Sequence, residues 1–316
     1  MTNRKWVYLY LILLIFIILI SGCTKKTVKT DADKQVTPKG KLVVTVIDKE
    51  SKKPVDSAGI TILGNDGFYK TDEKGRSPII NVDINKDIYK KYGEVLTKKA
   101  SSGSCSILVT KEGYKDFIYF NKAVYQGEAS NTLKIEMANV NTKSQEKNDM
   151  DYTTFIEAPH SLWVQDLIMK CQDIKDVNQG KGQNQILINI LDEKAKPIEG
   201  AFAVIPEQDL KVKSDKEGKC ALKPDLSKAM NNMYTVKKEK GEVTIIVLKE
   251  GYVPFVLLDK PVEIGKDASI DIKLKPSKDK DREDYLMNIE PYDGEWVKKI
   301  IEAYKTGSWS NQDPFY

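Results

Sequence analysis

Apolar residues along this chain follow two periods, and each pattern occurs twice. In Lys41–Asp48 (KLVVTVID), Leu42, Val44 and Val46 alternate with residues of the opposite face, and Ile186, Ile188 and Ile190 do the same in Gln185–Asp192 (QILINILD). A period of two is the signature of a β-strand with one buried face. Further strands are predicted from Ala58 and Ala201, across SILVTKEGYKDFIYF (106–120) and TIIVLKEGYVPFVLL (244–258), and over Leu133, Ile135, Met137 and Ile270, Ile272, Leu274. The second period is helical: Trp163, Leu167, Cys171 and Ile174 fall on one face, as do Trp296, Ile300 and Tyr304.

These patterns align as an internal duplication. Lys-Glu-Gly-Tyr stands at Lys111–Tyr114 and at Lys249–Tyr252, each between two apolar runs, and reads as a strand-to-strand hinge in which Gly113 and Gly251 take positive φ. Residues Pro54–Gly75 match Pro197–Gly218 without a gap, so the turn Thr71–Gly75 (TDEKG) pairs with Ser214–Gly218 (SDKEG). The aspartates there can bond their own turn backbone, and the glycines tolerate left-handed φ. Beyond the strands, Asp151-Tyr152, Ile156-Glu157, Pro159 and Trp163-Val164 align with Asp284-Tyr285, Ile289-Glu290, Pro291 and Trp296-Val297. The expected organisation is a β-domain over 40–138 with a helical segment at 150–177, then a β-domain over 184–276 with a helical segment at 283–305. Asn178–Gln185 (NQGKGQNQ) reads as the linker between units, and 306–316 as a polar tail with three aromatics. The copies diverge most over Ser77–Ser104 and Cys220–Gly241, where a short helix or a long loop is expected, and variable loops on a shared scaffold are where binding concentrates. Trp163 and Trp296 either dock their helices on the parent sandwich, the expected case, or present an apolar stripe to a partner.

The N-terminus has a different character. Arg4 and Lys5 precede an uncharged run, Trp6–Gly22, which ends Ile20-Ser21-Gly22-Cys23. A short basic region, an apolar core and small residues at a cut site form a secretory signal, and the cysteine after them makes it resemble the bacterial lipoprotein signal. That resemblance implies residues 1–22 as a cleaved signal peptide and Cys23 as the site of lipidation, with palmitate-type acyl chains and a membrane-anchored, extracytoplasmic protein. An uncleaved transmembrane anchor is the alternative, but 17 uncharged residues (6 to 22) fall short of the roughly 20 that cross a bilayer squarely. Residues 23–39 are polar and charged, a flexible tether whose length could reach roughly 50 Å when extended.

Composition then narrows the function classes. Loss of Arg4 and Lys5 with the signal takes the net charge from +4 to +2, so the mature chain is no basic nucleic-acid binder. Only Arg4, Arg76 and Arg282 are arginine among 50 basic residues, which leaves little bidentate phosphate or guanine recognition. So lysine-rich a chain is associated with an AT-rich genome, hence a Gram-positive source. Cys105, Cys171 and Cys220 occupy non-equivalent places in the repeats and form no disulfide framework, although any two could pair.

Taken in order, an alternating strand ending in Asp, a Pro turn leading to Ala, a Thr/Ser-Asp-x-x-Gly turn and a strand closing on Lys-Glu-Gly-Tyr resemble the carboxypeptidase regulatory-like domain. Pro197-Ile198-Glu199-Gly200-Ala201 fits the pattern best; the first copy has Ser57 at the Gly position. The resemblance covers roughly 40–138 and 184–276. It implies a mainly β chain of two tandem transthyretin-like β-sandwich domains, each followed here by an amphipathic helix, and a non-catalytic accessory role. The Lys–Asn cross-link of related adhesin repeats is not carried over, because the strand SIDIKLK (269–275) contains no Asn.

Catalytic groups are sparse. His160 is the only histidine, which excludes a His-rich zinc site and leaves any Ser-His-Asp or Cys-His arrangement dependent on one residue at a helix entry. There is no Cys-x-x-Cys and no Gly-rich phosphate loop. One Asp and one Glu among lysines make the acidic turns poor cation cages. Phe117, Tyr119, Phe120 and Phe255 are expected to pack between sheets rather than line a groove. No enzyme activity, metal or cofactor is expected. The reading is a surface-anchored lipoprotein that binds or scaffolds cell-envelope components, with a cell-wall or envelope protein partner and no nucleic acid. A structural spacer and a carrier of small hydrophobic molecules are the alternatives.

Overall fold

The computed structural model describes residues 39–64, 67–83, 102–126, 131–140, 150–229, 240–277 and 285–308. Residues 1–38, including Cys23, the middles of both divergent segments and residues 309–316 lie outside them.

Sixteen strands in four sheets, together with two α-helices, are found among these residues. In the first half β1 (Lys39–Asp48) lies between β4 (Ile80–Asp83), antiparallel, and β7 (Asn131–Met137), parallel. Opposite stands a five-stranded sheet in the order β3 (Phe68–Lys70), β2 (Gly59–Ile62), β5 (Ser102–Thr110), β6 (Asp116–Tyr125), β8 (Tyr152–Ile156). Leu42, Val44 and Val46 meet Ile60, Ile107 and Val109 in one buried cluster between the two sheets, so this half is a β-sandwich.

The second half repeats the plan. Here β9 (Ile186–Asp192) lies between β12 (Lys219–Leu222) and β15 (Ala268–Leu274), while the five-stranded sheet runs β11 (Leu210–Lys213), β10 (Phe202–Ile205), β13 (Lys240–Leu248), β14 (Phe255–Glu263), β16 (Leu286–Ile289). Ile186, Ile188 and Ile190 face Ala203, Ile245 and Val247 across its core. Alternation thus marks the inner faces of both sandwiches.

Local chemistry closes the turns as the residue types require. Asp72 Oδ1 accepts from the amides of Lys74 (2.9 Å) and Arg76 (2.8 Å), and Asp215 Oδ1 accepts from those of Glu217 (3.0 Å) and Lys219 (2.8 Å). A Cβ on Gly75 or Gly218 would stand 2.4 or 2.5 Å from a carbonyl oxygen of β1 or β9, so close approach as well as positive φ requires glycine there. Gly113 and Gly251 take φ of 84° and 80° in the Lys-Glu-Gly-Tyr hinges. Ser57 also sits at positive φ (54°), at the place where the second copy has Gly200 (72°).

Two features add to the sequence reading. Each segment read as helical opens with a strand: β8 and β16 precede the helices and add in parallel to the outer edges of β6 and β14. The helices themselves are α1 (Ser161–Asp173) and α2 (Gly294–Thr306). The stretch 178–185, read as the linker between units, is paired by its backbone to the second sandwich. Asn178 exchanges both backbone bonds with Lys211 of β11 (2.8 and 2.9 Å), and Gly182 N donates to Lys223 O (2.9 Å). A Cβ on Gly182 would lie 1.9 Å from Pro224 O, so only glycine lets the two backbones meet.

Candidate functional site

The two helices exchange partners. On α1, Trp163, Val164, Leu167, Ile168 and Cys171 are buried against Val204, Ile246, Leu248, Val256 and Leu258, the outer face of the second half's five-stranded sheet. On α2, Trp296, Val297, Ile300, Ile301 and Tyr304 are buried against Leu63, Leu108, Ile118 and Phe120 of the first half. Each helix therefore leaves the sheet that its preceding strand extends and covers the other one, which corrects the expectation that Trp163 and Trp296 dock on their parent sandwiches. The strands beneath explain the fit. Residues 107–109 and 245–248 are unbroken apolar runs, apolar on both sheet faces, and an outer apolar face must be covered.

Phe120 belongs to this outer layer. Phe117 and Tyr119 turn toward the interior of the first sandwich, whereas Phe120 is fully buried beneath α2, with ring centroids 4.6 Å from Tyr292 and 6.2 Å from Trp296. Phe255 packs against the inner core of the second sandwich. The expectation of a place between the sheets thus holds for three of these four aromatics and fails for Phe120.

Polar contacts fix each helix in register. Tyr304 Oη accepts from Gly64 N (2.5 Å), Lys305 Nζ lies 2.9 Å from Asp116 Oδ2, and Asn121 Nδ2 donates to Tyr292 Oη (3.2 Å). At the other helix, the buried Lys211 of β11 reaches the carbonyls that end α1, Cys171 O (3.3 Å) and Ile174 O (2.6 Å), with its ammonium 4.8 Å from the Phe202 ring centroid. A cation at these carbonyls answers the negative end of the helix dipole. Helix α2 ends instead on Gly307 in the left-handed region (φ 67°), so the two copies solve the same terminus differently.

The helix starts show the same divergence. His160 Nδ1 accepts from Leu162 N (3.3 Å) as the N-cap of α1, which confirms a helix-entry residue and gives the lone histidine an exposed, structural place. At the equivalent position Asp293 caps α2 by accepting from Glu295 N (3.1 Å) and Trp296 N (3.2 Å). The Asp293 carboxyl is held below its ordinary range, first by its hydrogen bond to Lys240 (2.5 Å) and then by these cap amides.

This last contact locates the strongest candidate site. Lys240 is where the chain re-enters β13 after the divergent residues 230–239. Its ion pair with Asp293 places that re-entry at the N-terminus of α2. Tyr152 of β8 closes the corner from the first sandwich by donating its hydroxyl to Gly294 O (3.2 Å), and a Cβ on Gly294 would stand 3.1 Å from that hydroxyl. The chain thus re-enters β13 where both halves meet.

Chemistry elsewhere is structural. Glu157 lies 3.0 Å from Lys122 Nζ and accepts from Tyr119 Oη (2.8 Å), and Glu290 pairs with Lys260 (3.6 Å) at the repeat position. Burial raises the Tyr119 phenol, and the bond to Glu157 raises it further. The Cys105, Cys171 and Cys220 thiols form no disulfide, and burial pushes each up to about 12, which leaves little thiolate at neutral pH. Among the described residues no group of three or more His, Cys, Asp or Glu is placed to hold a metal ion, and no helix is long and apolar enough to cross a membrane. Cys23, the one site residue named from sequence, lies outside the described residues. The helix exchange was the feature sequence reasoning missed, and the doubly apolar runs at 107–109 and 245–248 were its visible signal.

No family model and no curated protein matches the chain. Solved structures with partial likeness include the Bacillus anthracis TIE protein, at 13% identity and TM-score 0.21 over 76% of this chain and 34% of that one. The shaft pilin spaA of Lactobacillus rhamnosus GG is 13% identical, TM-score 0.21, over 77% of this chain and 99% of that one. A streptococcal ancillary pilin is 11% identical, TM-score 0.21, over 77% and 63%. The chain spans about a third of the length of the TIE protein. At TM-scores this low, these likenesses carry no weight for function.

Proposed function

We propose that this chain is a lipid-anchored envelope protein, tethered through Cys23 on the extracytoplasmic face of the membrane. Two tandem transthyretin-like units of the carboxypeptidase regulatory-like kind present binding loops to a cell-wall or envelope protein partner. The supporting observation is the reciprocal helix exchange. By covering each other's outer sheet faces, the halves form a clamped pair, and the ion pair of Lys240 with Asp293 ties the start of β13 to the N-terminus of the helix that covers the first sandwich. Fixed geometry lowers the ordering cost of engaging one extended target with two copies. The N-terminal signal pattern supports the anchor, and the helix-capping use of His160 supports a binding rather than catalytic role.

Two measurements test this. Metabolic labelling with a clickable palmitate analogue in a Gram-positive host should mark the wild-type chain and not Cys23→Ala; equal labelling of both sinks the anchor. In-cell crosslinking should capture an envelope component that is lost when residues 230–239 are replaced by a Gly-Ser segment of equal length. Capture unaffected by that exchange would favour a spacer without its own ligand.

A further inference from the structure

The second sandwich carries a pair of lysines that converge on one glycine. Strands β11, β10 and β13 lie side by side, with Lys213 opposite Phe202 and Phe202 opposite Leu248. Lys213 is exposed, with its ammonium 5.9 Å from the Phe202 ring centroid, and Lys249, the residue after β13, is half-buried. Both side chains close over Gly200. A Cβ built on that glycine would lie 3.3 Å from Lys249 Nζ and 3.9 Å from Lys213 Nζ, so the two nitrogens are within about 7.2 Å of each other, the sum of those distances. Glu199 and Glu250 adjoin the pair in sequence, yet among the described residues no carboxylate forms an ion pair with either lysine. Two like charges held this close repel each other, and an anion between them removes the repulsion.

The floor beneath the pair is fixed. Ser214, the buried residue after Lys213, accepts from Ala201 N (2.9 Å) and donates to Ile198 O (2.7 Å) through its hydroxyl, and its carbonyl accepts from Gly200 N (3.0 Å). Gly200 stands at φ 72°, and a Cβ there would crowd Lys213 Cε at 3.2 Å. The first sandwich repeats the latch through Thr71 and keeps Lys70 and Lys111 at the matching positions, but it has Ser57 in place of Gly200. Glycine thus keeps the space between the ammonium groups clear in the second copy. Nine residues of β13, about 30 Å of strand, separate this place from the corner at Lys240 and Asp293.

We propose that Lys213 and Lys249 form an anion site for a phosphate group. Lysine ammoniums act as point charges that suit a phosphate, whereas a planar carboxylate is matched by the arginine fork that this site lacks. Charge-assisted contacts of about 2.7–2.9 Å from each side leave the width of one such group between the nitrogens. The phosphate is a diester of an envelope polymer or a lipid headgroup, which present the same chemistry. The site goes beyond the binding role proposed above and does not require the anchor on Cys23.

The test uses the full-length chain in phosphatidylcholine nanodiscs, treated with an amine-acylating reagent at constant ionic strength and read lysine by lysine by peptide mass spectrometry. A soluble glycerol phosphate oligomer in excess should slow acylation of Lys213 and Lys249 by about fivefold or more and leave the exposed Lys216 and Lys219 within about twofold. In Lys249→Gln, which removes a charge but breaks no ion pair, protection of Lys213 should be lost. Nanodiscs containing phosphatidylglycerol, without the oligomer, present the other source. Protection there alone assigns the phosphate to lipid, and protection by the oligomer alone assigns it to a polymer; either supports the site, as do both together. Three results overturn the proposal: no protection from either source, equal protection at Lys216 and Lys219, or protection of Lys213 that survives Lys249→Gln.

Discussion

Single backbone positions carry much of the specificity of this fold, and their costs separate by mechanism. Gly182→Ala would drive a Cβ to 1.9 Å from Pro224 O, so one of the two backbones must shift. Loss of about 1–3 kcal/mol or more is expected, read as a lowered urea midpoint with unchanged slope. Gly113→Ala meets no atom within 4 Å and suffers only from its φ of 84°, so about 1–2 kcal/mol is expected. An equal effect of the two changes would show that crowding does not hold 178–182 in place. Ser57→Gly runs the other way: it relieves a non-glycine at φ 54° and should stabilise by less than about 1 kcal/mol, because glycine's own chain entropy offsets part of the gain. The glycine hinges and acidic turns were legible in sequence because Gly, Asp and Pro encode backbone geometry locally. Gly180 and Gly182 read only as part of a linker because the backbone they approach, Lys223 and Pro224, is distant in sequence.

At the scale of elements, the helices depend on caps that differ between copies. Lys211→Met keeps the stem of the side chain but removes the ammonium from the α1 carbonyls. A loss of about 1–3 kcal/mol is expected, with faster exchange confined at first to the last turn of α1. Asp293 supplies a pH signature. Its folded-state carboxyl titrates below the unfolded one, so its stabilisation is complete above the ordinary carboxylate range near pH 4 and is lost as pH falls through the lowered value. Asp293→Asn keeps an N-capping side chain and should flatten the acid limb of the stability profile; an unchanged limb would mean that the Lys240 contact contributes nothing. Helix existence was readable from Trp163, Leu167, Cys171 and from Trp296, Ile300, Tyr304. The partner sheet was not readable, because an apolar stripe states that it needs cover and not which of two equivalent faces will provide it. Strands β8 and β16 were missed for a related reason: as parallel edge additions they are half-exposed, and YTTFI or LMNI shows no clean alternation.

At the scale of the molecule, the exchange makes each sandwich depend on the other. If the halves were beads on a string, truncating the outer face of one would leave the other's unfolding unchanged. Here Phe120 supports α2, and α2 is continuous with β16, the outer strand of the second sandwich's five-stranded sheet. Phe120→Ala should cost about 3–5 kcal/mol and should lower the unfolding temperature reported from both halves together. Calorimetry on the full-length protein in detergent should give one transition, with calorimetric and van't Hoff enthalpies in agreement, for the wild type and for Phe120→Ala alike. Two separated transitions, with only the first half shifted, would show that the helices rest on the sheets without coupling them. Coupling also sets what a partner feels. A ligand bound at Lys240 and Asp293 would stabilise the start of α2, and α2 covers the first sandwich, so such binding should raise the stability of both halves by the same linkage.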